Sequence, residues 1–361
     1  MASRLNAVAR RRLANQHLVA PTLGEAAEVV RVLGAVQAQD YGGAKWAIAQ
    51  RTKQLTDTDI DQAFASGAIL RTHVLRPTWH FVLPEDARWM LALTAPRVSA
   101  AMAYYFRTWA LDATVFRKSH AALERALRDG RRLTRSELSE VLGRAGVAVS
   151  SGERVVGLLM QAELDRVIIS GGRHGKQSTY ALFDERVPAT PPRDRDEALH
   201  DLARRYFATR GPATVHDFAW WSGLAVRDAR RGVEAAAAFL VRETHDGGTY
   251  WSAPGEHAAP RWRRVAHFLP NYDEYFVGFK DRSAFAARLR AVRPRTRVDA
   301  LMGHVLLVDG QIVGGWRRQL GATADLELRL LARLTVPERK LVERAARRFS
   351  GFLGLPVRLR R

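Results

Sequence analysis

Apolar residues recur at helical spacing over Ala26, Val29, Val30, Leu33 and Val36, which predicts an amphipathic helix ending near Gln37, opened by Thr22 and Glu25 as a capping box. The period then changes. Residues 70–83 are rich in β-branched and aromatic side chains and read as a strand pair. Further on, 119–129 reads as a short helix, Thr134 with Glu137 caps a second that ends near Gly143, and 151–164 carries a third amphipathic period. Two β-rich runs, 167–170 and 178–182, flank the turn Gly171 to Lys176. Three helices followed by a glycine-tipped hairpin is the order of a winged helix-turn-helix.

The same grammar returns after 187–192, whose prolines disfavour helix and mark a boundary. Residues 197–209 and 225–237 are helical in period, 213–223 aligns in pattern with 133–143, and 240–243 with 250–252 form a hairpin about Asp246-Gly247-Gly248. The N-terminal third reads as a more diverged copy. After Arg261 strands dominate, at 266–269, 305–308, 311–316 and 326–331; Asp309-Gly310 is a hairpin turn, and Pro337 starts a basic helix running to Phe349. The expected architecture is α+β, with tandem winged helix-turn-helix units at 1–115, 116–187 and 193–258 and a C-terminal β unit with a terminal helix at 261–361.

Composition narrows the partner. A chain of 361 residues with 47% hydrophobic content can bury a large core. Its 57 Lys and Arg against 37 Asp and Glu leave a net charge of +20, mostly arginine interspersed with acids, which points to a folded surface that meets nucleic acid. The absence of cysteine excludes disulfides, zinc–thiolate sites and thiol nucleophiles. Arg10-Arg11-Arg12 is followed by no apolar signal region, and no run approaches the roughly 20 apolar residues of a membrane span, so a cytoplasmic, nucleoid-associated protein with no membrane partner is expected.

Candidate chemistry begins at Gln37-Ala38-Gln39, two neutral amides two residues apart that could hold one water molecule between them. No His, Asp and Glu cluster has metal-ligand spacing, so neither metal nor cofactor is expected. His73 and His80 alternate with apolar residues along the predicted strands. Arg71, Arg76, Arg131, Arg132, Arg173, Lys176, Arg293, Arg295 and Arg297 lie in or near predicted turns and strands and are candidate phosphate contacts. Lys45 is the one local candidate for a Schiff base. Trp79, Trp220, Trp221, Trp251 and Trp316 fit core periodicity better than base stacking.

Gln37-Ala38-Gln39, Arg71-Thr72-His73 through Thr78-Trp79-His80-Phe81, and Leu269-Pro270-Asn271-Tyr272-Asp273-Glu274-Tyr275 with Lys280-Asp281-Arg282 together resemble the AlkZ/AlkX superfamily of winged-helix DNA glycosylases, over nearly the whole chain. In that superfamily Gln-x-Gln marks the AlkZ-like branch and Gln-x-Asp the AlkX-like branch; position 39 is glutamine here. The resemblance implies tandem winged helices plus a β-barrel-like element around a basic channel. It also implies catalytic roles for Gln37 and Gln39, and a lesion pocket drawn from Asp40, Tyr41, His73, Thr78, Trp79, His80, Asn271, Tyr272, Asp273 and Glu274. The implied reaction is hydrolysis of the glycosidic bond of a cationic N-alkylpurine in duplex DNA by a monomer, as in self-resistance to a DNA-alkylating natural product. A non-enzymatic winged-helix regulator is the competing reading. A protein that sequesters the drug itself would have no use for the charge.

Overall fold

The computed structural model describes residues 2–245, 247–254, 263–293 and 303–360. The N-terminal part comprises α1 (Ala2–Asn15), α2 (Ala26–Leu33), β1 (Val36–Gln37), α3 (Tyr41–Ala49), α4 (Asp57–Ser66), β2 (Leu70–His73), β3 (Trp79–Val82) and α5 (Pro84–Thr108). Here the sequence misleads in one important place. Helix α2 stops at Leu33, where Gly34 adopts φ +79, a conformation glycine takes without strain. Val36 and Gln37 instead pair with Phe81 and His80 of β3, giving an antiparallel sheet of order β1-β3-β2. Nor does Thr22 cap α2: the box is Glu25 with Glu28. The segment from Asp40 to Gly43 does not break a helix but begins one, since Asp40 is the N-cap of α3 and accepts from the Gly43 amide at 3.0 Å.

The next unit keeps the predicted order of three helices and a hairpin, with the first helix beginning six residues earlier than expected and a short strand, β4, added: α6 (Ala113–Leu127), β4 (Leu133–Thr134), α7 (Arg135–Arg144), α8 (Gly152–Leu164), β5 (Ile168–His174) and β6 (Gln177–Leu182). Thr134 and Glu137 form the reciprocal box, and β4 completes a sheet of order β4-β6-β5. After the short α9 (Phe183–Arg186), the pattern repeats as α10 (Arg195–Arg210), α11 (Val215–Ser222), α12 (Val226–Ala235), β7 (Val241–His245) and β8 (Gly248–Ser252). A bridge from Ala213 to Trp251 stands where β4 stands in the first copy. Helix α11 ends at Gly223, φ +69, and a Cβ there would overlap the Leu75 carbonyl oxygen.

The rest comprises β9 (Ala266–Leu269), α13 (Glu274–Val277), α14 (Ser283–Val292), β10 (Val305–Val308), β11 (Gln311–Leu320), β12 (Ala324–Leu330), α15 (Val336–Leu353) and β13 (Val357–Arg360). Asp309 and Gly310, both at positive φ, turn β10 into β11. The sheet order is β13-β12-β11-β10-β9, with β13 parallel to β12. Among the described residues this sheet is open, with β9 and β13 at its edges, so they do not form the barrel-like element implied by the resemblance. It is nonetheless no appendage. Phe268, Leu306, Val313, Trp316 and Leu326 share one apolar core with Val29, Val36, Trp46 and Phe81, and the Trp46 indole donates to the Phe268 carbonyl at 2.7 Å. The C-terminal sheet therefore forms the wall against which the Gln37 segment is packed.

Candidate active site

Gln37 and Gln39 lie between α2 and α3, Gln37 closing β1 and Gln39 in the bend that leads to Asp40. The two amides therefore leave the chain two residues apart and not from successive turns of a helix. Gln37 is buried at 6% exposure and Gln39 is exposed, so the pair runs from floor to rim. Each amide oxygen already meets a protein donor: Arg76 Nη2 reaches Gln37 Oε1 at 2.6 Å, and the Trp79 backbone amide reaches Gln39 Oε1 at 3.3 Å. Each retains a second lone pair for water.

The floor is built from charge. Glu274 is fully buried; its Oε1 accepts from the Gln37 backbone amide at 2.8 Å, while Oε2 accepts from Arg210 at 2.5 Å and the Trp221 indole at 2.9 Å. Asp273, equally buried, is held by Arg51 through contacts of 2.9 and 3.0 Å. Both carboxylates are thus consumed by guanidiniums. Asp40 is the candidate carboxylate that keeps solvent access, beside Gln39. Tyr41 donates its hydroxyl to Asp61 at 2.6 Å, and burial raises its pKa far above the usual phenol value. Lys45 is 4% exposed and held by Asp57 at 2.6 Å and Asp61 at 2.8 Å, so it is not placed as a nucleophile.

On β2 and β3, the Trp79 ring lies 4.4 Å from the His73 ring and 4.3 Å from the Arg71 guanidinium. His73 Nδ1 meets Glu163 of α8, which joins the N-terminal sheet to the next unit. His80 is completely buried with Nδ1 2.9 Å from the Thr78 carbonyl; burial, then the Arg76 charge, holds its pKa well below that of free imidazole. The Thr78 hydroxyl is buried with no hydrogen-bond partner. Trp220 is 42% exposed, against its expected place in the core, whereas Trp221 and Trp316 are buried.

Two cavities lie among neighbouring elements, and neither glutamine lines either of them. One, of about 670 Å³, is lined by Arg71 and Trp79 together with Arg135, Ser136 and Ser139 of α7, Ser151 and Gly152 at the start of α8, and Gln177 and Tyr180 of β6. The other, of about 840 Å³, is lined by Asn271, Arg293, His304, Trp316, Arg317 and Glu327. Asn271 Oδ1 and His304 Nε2 are buried there without hydrogen-bond partners. Burial and Arg318 lower the His304 pKa against the opposing charge of Asp40. Tyr272, at φ +64, packs against the core at this side.

The basic candidates divide. Arg131, Arg132, Lys176 and Arg293 are exposed, and Arg173 lies over the Tyr41 ring at 4.7 Å while donating to the Lys176 carbonyl. Arg71 and Arg76 point inward instead: Arg71 Nε donates to the Ala38 carbonyl at 3.0 Å, and Arg76 holds Gln37. Their position in strands and turns suggested phosphate, but Arg71 on β2 and Arg76 in the turn between β2 and β3 both reach the glutamine segment. Arg295 and Arg297 lie outside the described residues. Sequence reasoning missed Arg51, Arg210 and Glu163; no local signal marks them, because their partners are remote in the chain. The Lys45 clamp had a signal, since Asp57 and Asp61 are four apart on one face of α4. Among the described residues no group of His, Asp and Glu converges to hold a metal ion, and no described helix is long and apolar enough to cross a membrane.

A family model described as DNA glycosylase AlkZ-like matches residues 30–352. The chain is 26% identical, over 377 aligned residues, to an interstrand DNA cross-link repair glycosylase of Streptomyces sahachiroi, an alignment spanning 96% of this chain and 97% of that protein. The solved structure of the Streptomyces sahachiroi DNA glycosylase AlkZ matches it with a TM-score of 0.76 at 23% identity, over 98% of this chain and 99% of the other. At that identity the structural likeness speaks for the fold.

Proposed function

The chain belongs to the AlkZ-like DNA glycosylase family, and on that premise we propose that it hydrolyses the N-glycosidic bond of cationic N-alkylpurine adducts in duplex DNA. The bulky adducts of a DNA-alkylating natural product, interstrand cross-links among them, are the proposed substrates. Three winged-helix units in one monomer grip the duplex, and Gln37 with Gln39 place the attacking water. The observation that supports the reading is the pair of amides two residues apart at the end of β1, each oxygen held by one protein donor, Arg76 for Gln37 and the Trp79 amide for Gln39, with a lone pair left for water.

A purine alkylated at N7 or N3 leaves as a neutral base, taking the bonding electrons, and water adds to C1′ while its proton passes to solvent. Such a departure needs no general acid. Amides are weak bases, so they orient water without activating it strongly, which spares undamaged nucleotides. Burial of Asp273 and Glu274 against arginines leaves Asp40 to stabilise positive charge on the sugar. The double clamp on Lys45 favours direct hydrolysis over a Schiff base.

Incubation with duplexes carrying N7-alkylguanine tests this. Release of the cationic base is expected, with its neutral ring-opened product and a deaminated base left in place. Gln37→Ala and Gln39→Ala should each lose most excision at unchanged DNA affinity. Comparable release of the neutral bases would reveal an acid, and parallel loss of binding would return the glutamines to a structural role.

A further inference from the structure

Arg76 looks, in sequence, like another cation for the DNA backbone. Its guanidinium is partly buried, with Nη2 2.6 Å from Gln37 Oε1 and 3.5 Å from His80 Nε2. Arginine has donors and no acceptor, so the end of the Gln37 amide that faces it must be the oxygen. His80 Nδ1 faces the Thr78 carbonyl, an acceptor, so Nδ1 carries the proton and Nε2 presents its lone pair to Arg76. Only this neutral tautomer satisfies both neighbours. From the other side, Glu274 fixes the Gln37 backbone amide and is itself tied to Arg210 and Trp221.

We propose that Arg76 is a positioning residue that sets the Gln37 carboxamide for catalysis, with His80 as the prop that aims Arg76, and that it does not contact DNA phosphate. This rests on the reading of Gln37 as a water-placing residue. With one lone pair of Oε1 held by the guanidinium, Gln37 offers water its second lone pair and the Nε2 hydrogens in one fixed orientation. The charge-assisted bond also draws density from the amide oxygen, leaving Gln37 a poorer base than a free amide. That sharpens the restriction to lesions that leave without help. Burial disfavours the Arg76 charge, and Glu274 supports it against the nearby charges of Arg210 and Arg282.

The test is single-turnover excision of N7-alkylguanine alongside DNA affinity measured across a salt series. Arg76→Met should slow excision by about 10- to 100-fold, the worth of a charge-assisted hydrogen bond, with affinity and salt slope unchanged. In a Gln37→Ala background the same change should add almost nothing, because the group it positions is gone. Arg76→Lys, which keeps a donor but loses the planar fork, should recover part of the rate; it also serves if the methionine variant does not fold. Weakened binding with a salt slope shallower by about 0.9 would make Arg76 a phosphate contact and overturn the proposal. Losses that multiply in the double variant, or full activity of Arg76→Lys, would overturn it too. If Gln37→Ala alone leaves excision intact, the catalytic reading of Gln37 fails first, and that outcome is separate from the others.

Discussion

Glu274 shows how much one side chain can be asked to hold. It accepts from the Gln37 backbone amide, a guanidinium and an indole, all at no exposure to solvent. Glu274→Gln leaves Arg210 charged and buried without its partner, and such a break costs about 3–5 kcal/mol. Urea unfolding should show that loss as a fall in midpoint; an unchanged midpoint would mean that water reaches Arg210. His267 makes the complementary case. Burial, together with the Arg348 charge, holds its pKa down to about 3, whereas an unfolded imidazole takes its proton near pH 6.5. Between those values the unfolded chain binds more protons, so stability falls as pH drops from about 6.5 towards 3. His267→Gln should flatten the unfolding curve against pH by up to about 1.4 kcal/mol per unit in that window. A slope identical to that of the parent would place the titration elsewhere.

At the scale of elements, two threonines that look alike in sequence part company. Thr134 closes a reciprocal box at the start of α7, and Thr134→Ala should cost about 1 kcal/mol in thermal unfolding. Thr22 meets only the His17 ring at an exposed site, so Thr22→Ala should stay within about 0.5 kcal/mol of the parent. The contrast marks what was legible. The Thr134 cap, the hairpins and the helix order from α6 to α8 are written in neighbouring residues, and there the period sufficed. Val36 fits both a helix that continues from Leu33 and a strand, and the choice is made by Phe81, far along the chain. Helix α5 escaped notice because it is buried on several faces and carries Pro96, so neither its period nor its composition announces a helix of 25 residues. The Gln-x-Gln segment could be found from its motif. The Arg51–Asp273 and Arg210–Glu274 pairs could not, since each links partners that only the folded chain brings together.

At the scale of the molecule, three apolar cores divide the described residues among them. One fills α1, α5, α10 to α14 and neighbouring strands, one joins the N-terminal sheet to the C-terminal one, and one serves α6 to β6. With Arg71 and Arg76 turned inward, Arg131, Arg132, Lys176 and Arg293 remain as exposed candidates, and four phosphate contacts would give a slope of about −3.6 for log affinity against log salt. A fluorescence titration should show that slope losing about 0.9 in Arg131→Ala or Arg132→Ala. A slope unmoved by either variant would assign the duplex to another face. The close approach of Gly223 to the Leu75 carbonyl has a different bearing. Leu75 itself sits at φ +65, immediately before Arg76, so the end of α11 is the mould for the turn that presents Arg76. The segment from α10 to β8 is therefore not an interchangeable module. A chimaera that borrows α11 and α12 from another protein must inherit a glycine at this joint, because any Cβ there meets the Leu75 carbonyl oxygen and displaces the turn that carries Arg76.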